Sequence, residues 1–97
     1  MPNVMIRYTI KRDQVARELE LLGAVYEELE STQPDGLRYA TFQLEDKVSF
    51  VDFALGADLP GPLPQLEAFR RYRANLEERC DERVVTELHE VGSFRLH

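Results

Sequence analysis

Few residues in this chain have both the type and the spacing to do chemistry. His89 is the only histidine away from the C-terminal residue, and it shares one side of an alternating run with Val85, Glu87 and Val91. A neutral imidazole there would serve as a general base, with Glu87 orienting it. The same Glu-x-His spacing is also an ordinary surface pair on a half-exposed strand. Asp52 interrupts the apolar run around Val51, Phe53 and Ala54. An unpartnered carboxylate is costly in such a place, so Asp52 should either face a pocket, where it would be a base, or pair with Arg7, Arg38 or Arg70. Tyr8, Tyr39 and Tyr72 combine apolar rings with hydrogen-bonding tips, which suits a pocket for an aromatic compound, with Tyr72 assisting proton movement; core packing is the competing reading.

Other chemistry finds little support. The single cysteine, Cys80, rules out an intrachain disulfide framework. Its place at a helix end, where the dipole disfavours thiolate, does not indicate reactivity. Neither the histidines nor Cys80 have metal-ligand spacing, so no metal and no cofactor is expected. Twelve Lys+Arg against eighteen Asp+Glu leave a net charge of −6. The run Arg70-Arg71-Tyr72-Arg73 is spread around a helical turn and surrounded by Glu67, Glu77 and Glu78, so nucleic acid is not an expected partner. No apolar window approaches the ~20 residues of a membrane span, and Arg7 interrupts the N-terminal apolar stretch, so a cytoplasmic protein without a membrane partner is expected. Ninety-seven residues suit one domain, 1–97.

The elements that must position these residues follow from periodicity. Val4, Ile6, Tyr8 and Ile10 alternate with Met5, Arg7 and Thr9, which predicts a strand. After Asp13, a helix-starting residue, Val15, Leu19, Leu22, Tyr26 and Leu29 recur at helical spacing, and Pro34-Asp35-Gly36 ends the helix. Two strands, Leu37 to Leu44 and Val48 to Leu55, flank Glu45-Asp46-Lys47, a turn without the Asn-Gly signal. The loop Gly56 to Pro64 is stiffened by three prolines. Leu66, Phe69, Tyr72 and Leu76 predict one continuous helix from Pro64 or Gln65 to Cys80 or Asp81. A long last strand, Arg83 to Leu96, is expected to bulge at Gly92.

The order βαββαβ predicts an α+β ferredoxin-like fold, with two helices on one face of a four-stranded antiparallel sheet. Helices cover one face only, yet the central hairpin carries Tyr39, Val51 and Phe53 as well as Ala40, Phe42 and Phe50. The uncovered apolar face predicts a two-fold homodimer with the chain as its own partner.

The element order, the hairpin Tyr39 to Leu44 into Val48 to Phe53, the helix Leu66 to Tyr72 and the closing Val91-Gly92-Ser93-Phe94 resemble the dimeric α+β barrel superfamily. Within it, the resemblance is to the antibiotic biosynthesis monooxygenase-like family. It implies a cavity in each subunit between sheet and helices, and cofactor-independent oxidation of an aromatic or quinone-like small molecule. A tryptophan commonly ends the third strand of such oxygenases and a histidine sits in the second helix. This chain has Phe53-Ala54 and Phe69 there, and no tryptophan, so no catalytic role is carried over. Phe53 and Phe69 join Tyr8 and Tyr39 as candidate substrate contacts, while His89, Tyr72 and Asp52 are the candidate catalytic groups. The alternative function is a non-catalytic dimeric binding or interaction module on the same scaffold.

Overall fold

The structure is a computed structural model that describes residues 3–56 and 61–95. Strand β1 (Asn3–Ile10) leads through a 3-10 turn (Arg12–Gln14) into helix α1 (Val15–Thr32). The hairpin β2 (Arg38–Gln43) and β3 (Ser49–Leu55) follows. A second 3-10 turn (Leu63–Gln65), helices α2 (Glu67–Arg73) and α3 (Leu76–Arg79), and strand β4 (Cys80–Glu87) complete the chain of elements. The strands form one antiparallel sheet in the order β2-β3-β1-β4, the ferredoxin-like arrangement that the alternation of elements predicts.

Period-two alternation decides which side chains meet the helices. Tyr8 and Ile10 of β1 point inward with Phe50, Asp52 and Ala54 of β3. They pack against Leu21, Leu22 and Val25 of α1 and against Ala68, Tyr72 and Leu76 beyond the hairpin. The predicted stripe on α1 is rotated from the observed one. Leu19 is 45% exposed, whereas Glu18 is completely buried beside Leu21, Leu22 and Val25. Hydropathy places a glutamate outside; here Arg79 meets it inside the fold, where Nε donates to Glu18 Oε1 at 2.9 Å.

Local backbone chemistry sets the connections. Gln33 takes a left-handed conformation (φ 47°) and its N–H closes α1 on the Leu29 carbonyl at 2.8 Å, just ahead of Pro34. In the β2–β3 turn, Asp46 Oδ1 accepts from the backbone N–H groups of Val48 (3.0 Å) and Ser49 (2.8 Å), an Asx-type closure that replaces the missing Asn-Gly. The Ser49 hydroxyl donates to Asp46 Oδ2 at 2.6 Å, and that bond first, with the backbone bonds behind it, holds the Asp46 carboxyl below its ordinary range.

Two elements differ from expectation. The helix predicted to run on to Cys80 or Asp81 breaks after Arg73, because Ala74 is extended and Asn75 is left-handed at φ 60°. Asparagine tolerates that region, and the Arg79 guanidinium takes the freed carbonyls of Tyr72 (2.6 Å) and Ala74 (3.0 Å). The final strand is shorter and earlier than predicted, Cys80–Glu87. Beyond Leu88, whose N–H still reaches the Asn3 carbonyl at 2.9 Å, residues 89–95 pair with no strand, and the irregularity expected at Gly92 sits instead between Thr9 and Ile10. Residues 57–60 of the proline-rich loop and the last two residues lie outside the described residues.

The outer sheet face carries Ala40 and Phe42 of β2, Val51, Phe53 and Leu55 of β3, and Val84 of β4, by register with the inward set. Phe42 is 57% and Val84 50% exposed, and Phe42 meets Phe53 edge-on at 6.1 Å. The expected apolar outer face is therefore present. Among the described residues no helix is long and apolar enough to cross a membrane.

Candidate functional site: a tyrosine-lined cavity around Asp52

A cavity of about 330 Å³ lies between the inner sheet face and α2. Its apolar wall is built by Val4, Ile6, Ala54, Leu63 and Phe69, and Asp52 faces into it. The alternation of β3 turns Asp52 inward between Phe50 and Ala54, and the register sets it between Ile6 on β1 and Thr41 on β2.

Asp52 is 2% exposed, and of the two placements open to it, a pocket or an arginine, it takes the pocket, with phenols as its partners. Tyr8 Oη donates to Oδ1 at 3.0 Å and Tyr39 Oη to Oδ2 at 3.3 Å. Tyr26 completes the cluster from α1. It stacks on Tyr39 with ring centroids 5.5 Å apart and shares a 2.7 Å hydrogen bond with Thr41. Tyr72 enters from α2, lines the cavity and lies near Tyr8 and Glu18. All four tyrosines of the chain thus gather around one carboxylate.

The electrostatics follow from that packing. Burial pushes the Asp52 carboxyl up to about 6, against the opposing pull of hydrogen bonds from Thr41, Tyr8 and Tyr39. Burial, reinforced by the Asp52 charge, drives Tyr8, Tyr39 and Tyr72 far above the ordinary phenol range, and Tyr26 to about 12. The phenols therefore remain proton donors at neutral pH while Asp52 is largely ionised. The arrangement can do what a base in a dry site does, accepting a proton from a bound compound while fixed donors hold the carboxylate.

The predicted site residues divide in space. Asp52, Tyr72, Tyr39 and Phe69 line the cavity, and Tyr8 stands behind Asp52 in the core, stacked on Phe50 at 5.5 Å. Phe53 and His89 are elsewhere: both line a groove on the opposite, outer sheet face. Phe53 is one residue from Asp52, and a one-residue step along a strand reverses direction. His89 lies past the end of β4 rather than on it, with a side chain 81% exposed and Nε2 3.9 Å from Glu87 Oε2, and it lines a different hollow from Asp52. Cys80 is half-buried, and burial pushes its thiol up. Three residues escaped the sequence reading. Tyr26 is a stripe residue of α1 like its neighbours, while at the cavity wall Arg73 shares the helical spacing of Tyr72 and Arg83 opens the predicted last strand, neither with a signal for a site beyond its charge.

No protein-family model matches the chain, and no curated protein matches it. Solved structures do. A crystal structure of an antibiotic biosynthesis monooxygenase matches at 21% identity and TM-score 0.73, covering 95% of this chain and 100% of that one. The chain has the fold of antibiotic biosynthesis monooxygenase structures. A Nitrosomonas europaea protein provisionally given that name matches at 15% identity and TM-score 0.76, covering 95% of this chain and 100% of the other. A protein from Bacteriodes thetaiotaomicron, provisionally given the same name, matches at 11% identity and TM-score 0.79, covering 93% and 89%. Within this antibiotic biosynthesis monooxygenase fold, the candidate base Asp52 and its tyrosines belong to the cavity between sheet and helices, and the outer groove belongs to the bare sheet face.

Proposed function

We propose that the protein is a small-molecule oxygenase of the monooxygenase-like type, and that its cavity takes an aromatic compound with an acidic C–H or O–H, such as an anthrone. The observation that carries this reading is Asp52, a buried carboxylate facing an apolar cavity and held near neutrality in its proton affinity. Asp52 takes the first proton, and the resulting carbanion reduces dioxygen. The ring CH2 becomes C=O, one oxygen atom stays in the product, and the other leaves as water with the two hydrogens. No further reductant is required. Likeness of fold to structures named as monooxygenases supports the class. The same reading covers the outer apolar face with a second copy of this chain, packed sheet to sheet.

The test is oxygen uptake with dithranol, an anthrone. The expected result is one dioxygen consumed per quinone formed, with uptake lost in Asp52→Asn and retained in His89→Ala. Wild-type protein that leaves dithranol unchanged, or an Asp52→Asn variant that turns over normally, would sink the proposal. A non-catalytic binding module is favoured less, because the space between sheet and helices is a cavity and is not filled by aromatic side chains.

A further inference from the structure

Two arginines stand at the cavity wall. Arg73 is the last residue of α2 and Arg83 lies on β4, where the register sets it beside Tyr8 on the inner face of the edge strand. Both line the cavity that holds Asp52, and both also line a second, polar hollow outside it, which marks them as residues of the cavity mouth. Both are exposed, and among the described residues neither makes a side-chain hydrogen bond or an ion pair, although Glu77 and Glu78 line the same outer hollow. In a chain of net charge −6, two unpaired guanidinium groups from different elements converge on one opening.

The placement of Asp52 gives that opening a direction. Strand β4 lies two strand spacings, about 10 Å, from β3. Arg83 therefore approaches the cavity from the strand on the far side of β1 from Asp52, with Val4 and Ile6 of β1 between, and Arg73 joins it from the end of α2 at the hollow that both line. A cavity of about 330 Å³ is at the small end of the range for ligand sites, which suits two or three fused rings. Arginine binds carboxylate through paired N–H donors.

Resting on the reading of this cavity as an aromatic-substrate site, we infer that Arg73 and Arg83 form an anion subsite, and that the substrate is an aromatic acid. Its carboxylate is held at the mouth by Arg73 and Arg83, and its acidic C–H or O–H end is presented to Asp52. The subsite also sets orientation: an acid can enter only with its carboxylate trailing, since the far end of the cavity already holds the Asp52 carboxylate. An uncharged analogue has no such constraint.

The test uses 6-hydroxy-2-naphthoic acid, whose two polar groups lie at opposite ends of the rings, and its methyl ester, titrated by naphthol fluorescence into wild type, Arg73→Gln, Arg83→Gln and the double variant. Each guanidinium is expected to contribute about tenfold. The acid should therefore bind well over tenfold more tightly than the ester to wild type, each single variant should lose part of that preference, and the double variant should lose it all. Ester affinity should stay the same throughout, and Arg→Lys variants should keep part of the preference. An ester that binds wild type as tightly as the acid, or a preference that survives in the double variant, overturns the anion subsite while leaving the cavity reading in place. Failure of both compounds to bind overturns the subsite and the cavity reading together.

Discussion

Tyr8 Oη donates to Asp52 Oδ1 at 3.0 Å across 44 residues of chain, inside a core where both residues are nearly inaccessible. With Tyr39 on the other oxygen at 3.3 Å, the carboxylate is held by neutral donors alone. Neutral donors lower its proton affinity less than an arginine would, which leaves it usable as a base near neutral pH.

That relationship has a cost in stability with a definite sign. Burial raises the folded Asp52 carboxyl from its ordinary 3.8 to about 6, so between those values the folded chain holds a proton that the unfolded chain releases. This contribution to stability is complete below about pH 4 and is lost as pH rises through about 6, amounting to about 3 kcal/mol. Asp52→Asn should raise the melting temperature at pH 7 and change it little at pH 4. A variant that melts lower than wild type at pH 7 would contradict the assignment.

Removing either phenol should push the carboxyl higher. A hydrogen bond to a charged group is worth about 1.5–3 kcal/mol, so Tyr8→Phe should move the midpoint of the pH–rate profile up by about one unit or more. Tyr39→Phe, which loses the longer bond, should move it less. Both variants should retain activity at high pH. An unchanged midpoint in both would show that the phenols do not set the proton affinity of Asp52.

The Glu18–Arg79 pair is a second buried commitment. Arg79 also holds the carbonyls that end α2, and Glu18 is buried with Oε2 unbonded, its carboxyl raised by burial against the pull of Arg79. Arg79→Leu strands the carboxylate and should cost about 3–5 kcal/mol in urea denaturation at pH 7. The double variant Glu18→Leu, Arg79→Leu should be less destabilised than Arg79→Leu alone. A single variant as stable as wild type would show that the pair contributes nothing to the fold.

Covering of the outer face by a second copy predicts a concentration-dependent mass. Phe42 is 57% exposed, so Phe42→Glu should change the stability of the isolated chain by no more than about 0.5 kcal/mol. Sedimentation should give a dimer for wild type and a folded monomer for Phe42→Glu. Wild type sedimenting as a monomer at micromolar concentration would remove the proposal.

Alternation alone made much of this legible. Tyr8 and Asp52 each sit at an inward position of a strand whose period is readable in seven or eight residues, and the apolar character of both sheet faces is visible in the hairpin before any packing is known, but the pairing of β2 with β3 puts Tyr39 on the face of Phe50 and Asp52 and not with Val51 and Phe53. Hydrophobic spacing also placed Leu66, Tyr72 and Leu76 against the sheet. Failures came where a polar partner distant in sequence overrode local preference. Glu18 is inside α1 because Arg79, 61 residues later, meets it there, and the second helix breaks where Asn75 accepts a left-handed turn and that same Arg79 takes the carbonyls. Phe53, a candidate through its place at the end of the third strand, and His89, a candidate through the strand face it shares with Glu87, both miss the cavity, because a strand reverses direction at each step and β4 stops at Glu87.

The order of elements, the antiparallel sheet and the need for Asp52 to find partners can all be read along the chain, because period and the cost of a buried carboxylate are local properties. Only the tertiary structure decided who those partners are. Tyr8, Tyr26, Tyr39 and Tyr72 come from four different elements, and Arg73 and Arg83 reach the same cavity from α2 and β4, and no spacing along the chain encodes a meeting made by packing helices onto strands.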